Sequence, residues 1–422
     1  MTLSRTLLIL AACAVACAAA LAGSLAPVQA SSTPAASSSS PAAPSRPAAE
    51  TAQGAAAAQQ LLAQSDTPAA PKNLATVGGQ QLATSGTVVN YPSAAAPRLP
   101  AVQASAYVVA DASTGQVLAA RDPHGQLRPA STLKMLTAVT LMPLLNPDAS
   151  ITASATATNV TPNIVGLVTG ASYKVADLYD ALLLISANDA AIALAQGTGS
   201  LGTGVALMNA EAHHLQAYDI VAKDSNGLDA PGQHVSAYDL ALVARQALKL
   251  PAFLRYDQTR THLFRVSATK NETLVNQNSL LSTYPGGLGG KIGWTSAAGA
   301  TYVGLAKRNG VTLIVTLLHC PALTEVNYAK ALLTWGFAAD GKVSPVGSLV
   351  SPLPLPLATP KATPATPKIQ VPRGASALTS GNLTANQIPS GLAAASIALI
   401  VFAAAAAITL MLLRRRTPSR SR

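Results

Sequence analysis

Hydrophobic positions in the middle of the chain follow two periods. Between residues 107 and 120, and again between 301 and 318, they form short apolar or alternating runs; between 131 and 248 many recur at three- and four-residue spacing. The first period lines one face of a strand and the second one face of a helix. Tyr107 to Ala110 and Val117 to Ala120 predict two strands, joined as a hairpin by the turn chemistry of Asp111-Ala112-Ser113-Thr114-Gly115. Thr301 to Lys307 and Val311 to Leu318 predict a second hairpin through Asn309-Gly310, a pair suited to a tight two-residue turn. Helices are expected over Ser131 to Leu144, Val175 to Ile185, Ala190 to Gln196, Val205 to Leu215, Tyr238 to Leu248 and Tyr328 to Phe337. Strands at both ends with helices between them imply an α+β fold whose terminal strands share one antiparallel sheet.

The flanks differ in composition. Residues 1–30 have the layout of a secretory signal peptide: Arg5, an apolar stretch from Thr6 to Ala20, and the small-residue site Val28-Gln29-Ala30. Residues 31–98 are rich in Ala, Ser, Pro and Gln and poor in aromatics and charge, which predicts a disordered linker. A Pro-rich stalk is expected over 340–390. Leu392 to Leu413 is 22 residues without a charge, enough to span a bilayer as a transmembrane helix. The basic tail 414–422, with five arginines, then predicts a cytoplasmic C-terminus and everything before Leu392 outside. About 99–339 remains as the folded domain.

The net charge of +11 is misleading. Residues 99–339 carry 15 Lys plus Arg against 14 Asp plus Glu, so the surplus lies in the flanks and nucleic acid is a poor candidate partner. After removal of the signal only Cys320 remains; it follows a strand-like run and reads as a small core residue. His213-His214 is not a ligand pair, because adjacent residues point apart on a helix, and it is expected on the helix surface.

Candidate chemistry begins at Ser131-Thr132-Leu133-Lys134, where a hydroxyl and an amine three residues apart share a helix face. A serine needs a base to become a nucleophile, and a lysine with a lowered pKa can supply one. Ser267-Ala268-Thr269-Lys270 has the same spacing, so the tetrapeptide alone does not fix a site. Ser186-Ala187-Asn188 lies in a break between two helices, where Asn188 offers amide donors and an acceptor and Ser186 can pass a proton, or where both cap the next helix. Lys291-Ile292-Gly293-Trp294-Thr295 follows the glycine-rich run 286–290 and precedes a strand; it supplies a cation, and a Gly293 backbone that a ligand can approach.

Ser-x-x-Lys, Ser-x-Asn and Lys-x-Gly in this order resemble the signature set of penicillin-binding proteins and serine β-lactamases, and only Ser131 has the other two motifs downstream in order. Pro129 to Ala138, Leu207 to Ala212, Asn226 to Gly232, Ser236 to Ala241 and Leu332 to Phe337 narrow the resemblance to D-alanyl-D-alanine carboxypeptidases, the low-molecular-weight penicillin-binding proteins, over nearly all of 105–338. That resemblance implies a sheet beside a mainly helical subdomain, with Ser131 as nucleophile, Lys134 as general base and Ser186 as proton relay. It implies Asn188, Lys291, Gly293, Trp294 and Thr295 as substrate-binding positions, with backbone N–H groups of Ser131 and Trp294 as the oxyanion hole. The implied substrate is the D-alanyl-D-alanine end of a peptidoglycan stem peptide; β-lactams are the implied covalent inhibitors, and no metal or cofactor is needed.

Two departures bear on activity. The middle of the third motif, usually Thr or Ser, is Ile292, and Pro321 to Val326 lacks the arginine that many relatives carry before the Leu332-to-Phe337 segment. Three readings follow: an active carboxypeptidase, with an endopeptidase as its variant; a weakly active or inactive binding homologue; and a serine β-lactamase, which needs a second base that neither Glu211 nor Glu272 supplies in a suitable context.

Overall fold

In a computed structural model, residues 51–64 and 73–355 are described. The proposed signal peptide, transmembrane helix, basic tail and most of the stalk lie outside the described residues. Among the described residues no single helix is long and apolar enough to cross a membrane.

The strands are β1 (Thr87–Val88), β2 (Ala106–Asp111), β3 (Gln116–Arg121), β4 (Ser150–Thr152), β5 (Ser172–Lys174), β6 (Thr261–Arg265), β7 (Asn271–Val275), β8 (Gly287–Thr295), β9 (Gly299–Arg308), β10 (Val311–Cys320) and β11 (Gly347–Ser348). The helices are α1 (Ala52–Gln64), α2 (Lys134–Leu141), α3 (Ala155–Thr158), α4 (Val175–Leu184), α5 (Asn188–Gln196), α6 (Leu201–His214), α7 (Ala237–Ala247), α8 (Pro251–Asp257), α9 (Leu280–Thr283) and α10 (Glu325–Ala339). The main sheet runs β1-β3-β2-β10-β9-β8, with β11 also on β3, and every pairing is antiparallel. The α+β expectation holds: the N-terminal hairpin joins the C-terminal strands through Val109↔Val315 and its neighbours.

Strand β2 is buried on both faces, and its alternation divides two cores. Val108 and Ala110 join the core shared with α2 and α4 to α7; Tyr107 and Val109 join the one containing Leu332, Leu333 and Trp335 of α10. The second expected hairpin forms as read, with Asn309 at φ 49° and Gly310 at φ 86°.

The domain boundaries need correction. Residues 31–98 are not a linker throughout: α1 has Ala58 and Leu61 buried in the helical core, Leu82 is fully buried, and β1 pairs with β3. Few but well-placed apolar residues suffice because they cover a face that the sheet and α6 already provide. The stalk likewise begins later than 340, since β11 pairs with β3 and Val343, Val346 and Leu349 are buried. His213-His214 is not surface either: His214 is buried with Nδ1 3.1 Å from Glu211 Oε2. Cys320 is buried at the end of β10 as expected, and burial pushes its thiol up to about 12.

Candidate active site

Ser131 lies in a 3₁₀ turn, Ala130–Leu133, that leads into α2, and Ala130 before it is held at φ 46°. A non-glycine residue there is strained, and such strain persists where packing on both sides fixes the backbone. One side is Gly227, where an added Cβ would lie 1.9 Å from Ala130 O; the other is Gly293 on β8, where it would lie 2.7 Å from Ser131 N. Gly293 was expected to admit a ligand. A side chain there is excluded by Thr301 Oγ1 and by the backbone of Ser131 and Thr132, and Gly293 itself borders the cleft.

Lys134 is fully buried, and its Nζ is 2.9 Å from Ser131 Oγ, 2.6 Å from Asn188 Oδ1 and 2.5 Å from the Asn226 carbonyl. Burial first, then the charge of Lys291, pushes its pKa well below 10.5, while Asp224 and Asp189 act the other way. The neighbours orient the amine. The Asn226 carbonyl only accepts, and Asn188 presents its oxygen because its Nδ2 donates to Thr161 O at 2.8 Å. Two of its neighbours only accept, and Ser131 Oγ is the one neighbour of Nζ that also has a proton to give. The arrangement is that of a serine and its base.

Helix α4 ends at Leu184 and α5 begins at Asn188. Between them Ser186 sits at φ 62°, with a buried Oγ that has no hydrogen-bond partner. Asn188 thus holds Lys134 with its oxygen and the 161–163 loop with its nitrogen. Asp189 extends that tie: its carboxylate accepts from the N–H groups of Val165, Gly166 and Leu167 at 2.8 to 3.0 Å.

The glycine-rich run is the first half of β8 rather than a loop before a strand. Gly289 and Gly290 have φ of 110° and 120°, and a Cβ on Gly289 would meet Asp257 Oδ2 at 2.2 Å. Asp257 accepts from Gly290 N at 2.6 Å, and burial raises its pKa to about 7. Lys291 is also buried, its pKa lowered to about 7 by burial against the pull of Asp257, and its Nζ donates to Ile292 O at 2.8 Å. Lys291 acts on Lys134 through charge and does not line the cleft.

A cleft of about 280 Å³ is lined by Ser131, Ser186, Asn188, Gly293, Trp294 and Thr295 from the expected set. Pro162, Asn163, Gly227, Leu228, Gln277, Ile292, Leu323 and Glu325 complete it. Sequence reasoning did not single out the 161–163 loop, Gln277, Leu323 or Glu325 as cleft wall. The second Ser-x-x-Lys is placed elsewhere: Ser267 sits in the exposed β6–β7 turn, where its Oγ accepts from Thr269 N and Lys270 N, and Lys270 faces Glu272 at 3.8 Å.

Two groups of the described residues bring ligand-type atoms within 4.8 Å of one another: His124, Asp219 and Asp239, and Asp177, Asp180 and His262. In the first, His124 already uses both ring nitrogens, on Asp219 Oδ2 and Val77 O. In the second, His262 lies between two carboxylates at 3.2 and 3.4 Å and ties β6 to α4. Neither group lines the cleft.

Residues 92–321 match the family model Peptidase_S11, D-alanyl-D-alanine carboxypeptidase. The D-alanyl-D-alanine carboxypeptidase DacB2 of Mycobacterium tuberculosis is 38% identical over 264 residues, which cover 61% of this chain and 90% of that protein. DacD of Salmonella typhimurium is 34% identical over 259 residues, and there the match spans 64% of the relative. A solved D-alanyl-D-alanine carboxypeptidase from M. tuberculosis superposes with a TM-score of 0.59 at 37% identity, over 62% of this chain and all of that one. A variant of the Streptomyces K15 DD-transpeptidase gives 0.54 at 26%, over 57% and 99%. A family match across more than half the chain and a solved relative covered from end to end place a serine-peptidase fold around the Ser131–Lys134 pair, and the chain belongs to the Peptidase S11 family of D-alanyl-D-alanine carboxypeptidases.

Proposed function

We propose that this protein hydrolyses the D-alanyl-D-alanine bond of peptidoglycan stem peptides through an acyl-enzyme on Ser131. The observation that carries this reading is the fully buried Lys134 Nζ at 2.9 Å from Ser131 Oγ. Lys134 takes the hydroxyl proton as Oγ bonds to the carbonyl carbon, and the backbone N–H groups of Ser131 and Trp294 are the donors assigned to the oxyanion. As the C–N bond breaks, Ser186 passes the proton to the leaving amine. Water then hydrolyses the ester with Lys134 again as base. Asn188 positions Lys134 and, with Gly293, Trp294 and Thr295, borders the substrate, while burial first and then the charge of Lys291 favour the neutral form of Lys134.

The same centre would be acylated by β-lactams. Incubation of the protein with a labelled penicillin should add one mass equivalent that Ser131→Ala abolishes, and D-alanine release from a stem-peptide mimic should follow the same dependence. An adduct that survives Ser131→Ala would sink the assignment. A β-lactamase reading finds no support at Glu211 or Glu272, the first buried against His214 and the second beside Lys270 on an exposed hairpin.

The proposed setting is the outer face of the cell membrane, reached by the signal peptide 1–30 and held by a helix over 392–413; the sequence pattern supports it. Fractionation of cells expressing the chain with and without residues 392–422 tests the anchor: loss of the segment should release the protein from membranes.

A further inference from the structure

Away from the cleft, Asp177 and Asp180 stand three residues apart on one face of α4, and His262 meets them from β6. His262 Nε2 is 3.2 Å from Asp177 Oδ1, and its Nδ1 is 3.4 Å from Asp180 Oδ2. Neither approach has the alignment of a hydrogen bond: Nε2 is a buried atom without a hydrogen-bond partner. Asp180 is 7% exposed, and its carboxylate accepts no hydrogen bond from the described residues. Arg255, the nearby cation, lies over the Tyr256 ring at 4.4 Å and forms an ion pair with neither aspartate. Two carboxylates and an imidazole therefore converge on one point with bonding capacity unused. One ligand-type atom from each residue lies within 4.8 Å of the others. Ligands about 2.0–2.2 Å from a shared ion lie at most about 4.4 Å apart, so a small movement of one side chain closes the set. Asp177, with 35% of its side chain exposed, is free to make that movement and leaves the site open to solvent.

We propose that Asp177, Asp180 and His262 bind a divalent transition metal, Zn²⁺ above others, which clamps α4 to the β6–β7 hairpin. One imidazole nitrogen beside two carboxylates suits Zn²⁺, whereas Ca²⁺ and Mg²⁺ take oxygen ligands. The two clamped elements both lead to the cleft. Past the end of α4 comes Ser186, and past the end of β7 comes Gln277, whose N–H donates to Leu184 O at 2.9 Å; Ser186 and Gln277 both line the cleft wall. The metal would fasten at its far end a pair of elements that this hydrogen bond fastens at the near end. It takes no part in the chemistry at Ser131.

The test is titration of the full chain, stripped with a chelator, with Zn²⁺ alone and with Ca²⁺ alone, followed by calorimetry and by thermal unfolding. Zn²⁺ should bind at one equivalent and raise the melting temperature as its concentration rises, because it binds the folded chain. Loss of even an outer-shell partner of a metal costs about 10- to 100-fold in affinity, so His262→Gln and Asp177→Asn should each weaken Zn²⁺ binding by at least that much. Asp177→Asn changes a part-exposed side chain and keeps the fold testable if His262→Gln does not fold. An ion pair with no metal function would give a parent that neither binds Zn²⁺ nor melts higher in its presence, and that result overturns the proposal. Zn²⁺ binding at the parent affinity in Asp177→Asn, or Ca²⁺ binding as tightly as Zn²⁺, overturns it too.

Discussion

Gly293 on β8 and Ser131 at the head of α2 touch backbone to backbone: a first side-chain carbon at 293 would lie 2.7 Å from Ser131 N and 2.5 Å from Thr301 Oγ1. Thr301 Oγ1 is itself bound to Pro129 O at 2.8 Å, so the strand holds the nucleophile turn at two points. Gly293→Ala should therefore displace Ser131. A misplacement on the order of 1 Å costs roughly 100-fold in rate. Overpacking of this kind costs about 1–3 kcal/mol of stability. Penicillin acylation rate and thermal unfolding measure the two effects, and an alanine variant that acylates at the parent rate would show that the contact does not hold the turn.

The pH dependence of acylation should report the charges around Lys134. Its pKa is lowered, so the active neutral amine predominates above that value and the rate rises with pH through it. Lys291 opposes protonation of Lys134, and Asp224 favours it. Lys291→Met should move the acid limb to higher pH. Asp224→Asn, which keeps an Oδ1 acceptor for Asn226 N and Gly227 N, should move it to lower pH. Below the limb each unit of displacement changes the rate about tenfold. Shifts of the same sign in both variants would remove electrostatics as the cause.

Asp257 makes a separate prediction about stability. Its carboxyl is fully buried and raised from 3.8 to about 7, so between these values the folded protein holds a proton that the unfolded chain releases. Its stabilising contribution is present below pH 3.8 and lost as pH rises to 7. Asp257→Asn stays neutral and should gain relative to the parent across that window, by on the order of 4 kcal/mol at most. Chemical denaturation at pH 4 and pH 8 checks it: an advantage that does not grow with pH contradicts the buried-proton reading.

Motif order made the grouping of Ser131, Lys134, Ser186 and Asn188 legible, because helix period and a helix break encode short-range geometry. The two hairpins were legible for the same local reason. The strand over Gly287–Thr295 was not, since its glycines lower strand propensity; they are there because Asp257, Val303 O and the Ser131 turn leave no room for side chains. Glu325 escaped notice because only the docking of α10 brings residue 325 to the cleft. Composition misled most in the N-terminal flank: Leu82 lies in an Ala- and Gln-rich stretch but is fully buried against the sheet, its Cδ1 beside Gly347.

That flank sets the last prediction. A chain limited to residues 99–339 loses Leu82, Ala96, Val343, Val346 and Leu349, all buried, together with β1 and β11. Full burial of a leucine or valine side chain contributes about 1.5–3 kcal/mol, so the cut removes several kcal/mol of apolar burial. It also uncovers β3, whose partners on that side are β1 and β11, and an exposed strand edge favours aggregation. A chain spanning 73–355 keeps all of these contacts. Thermal unfolding and light scattering on the two should show the shorter one melting many degrees lower and scattering more. Equal melting temperatures would mean that the flanking strands cover the sheet without stabilising it.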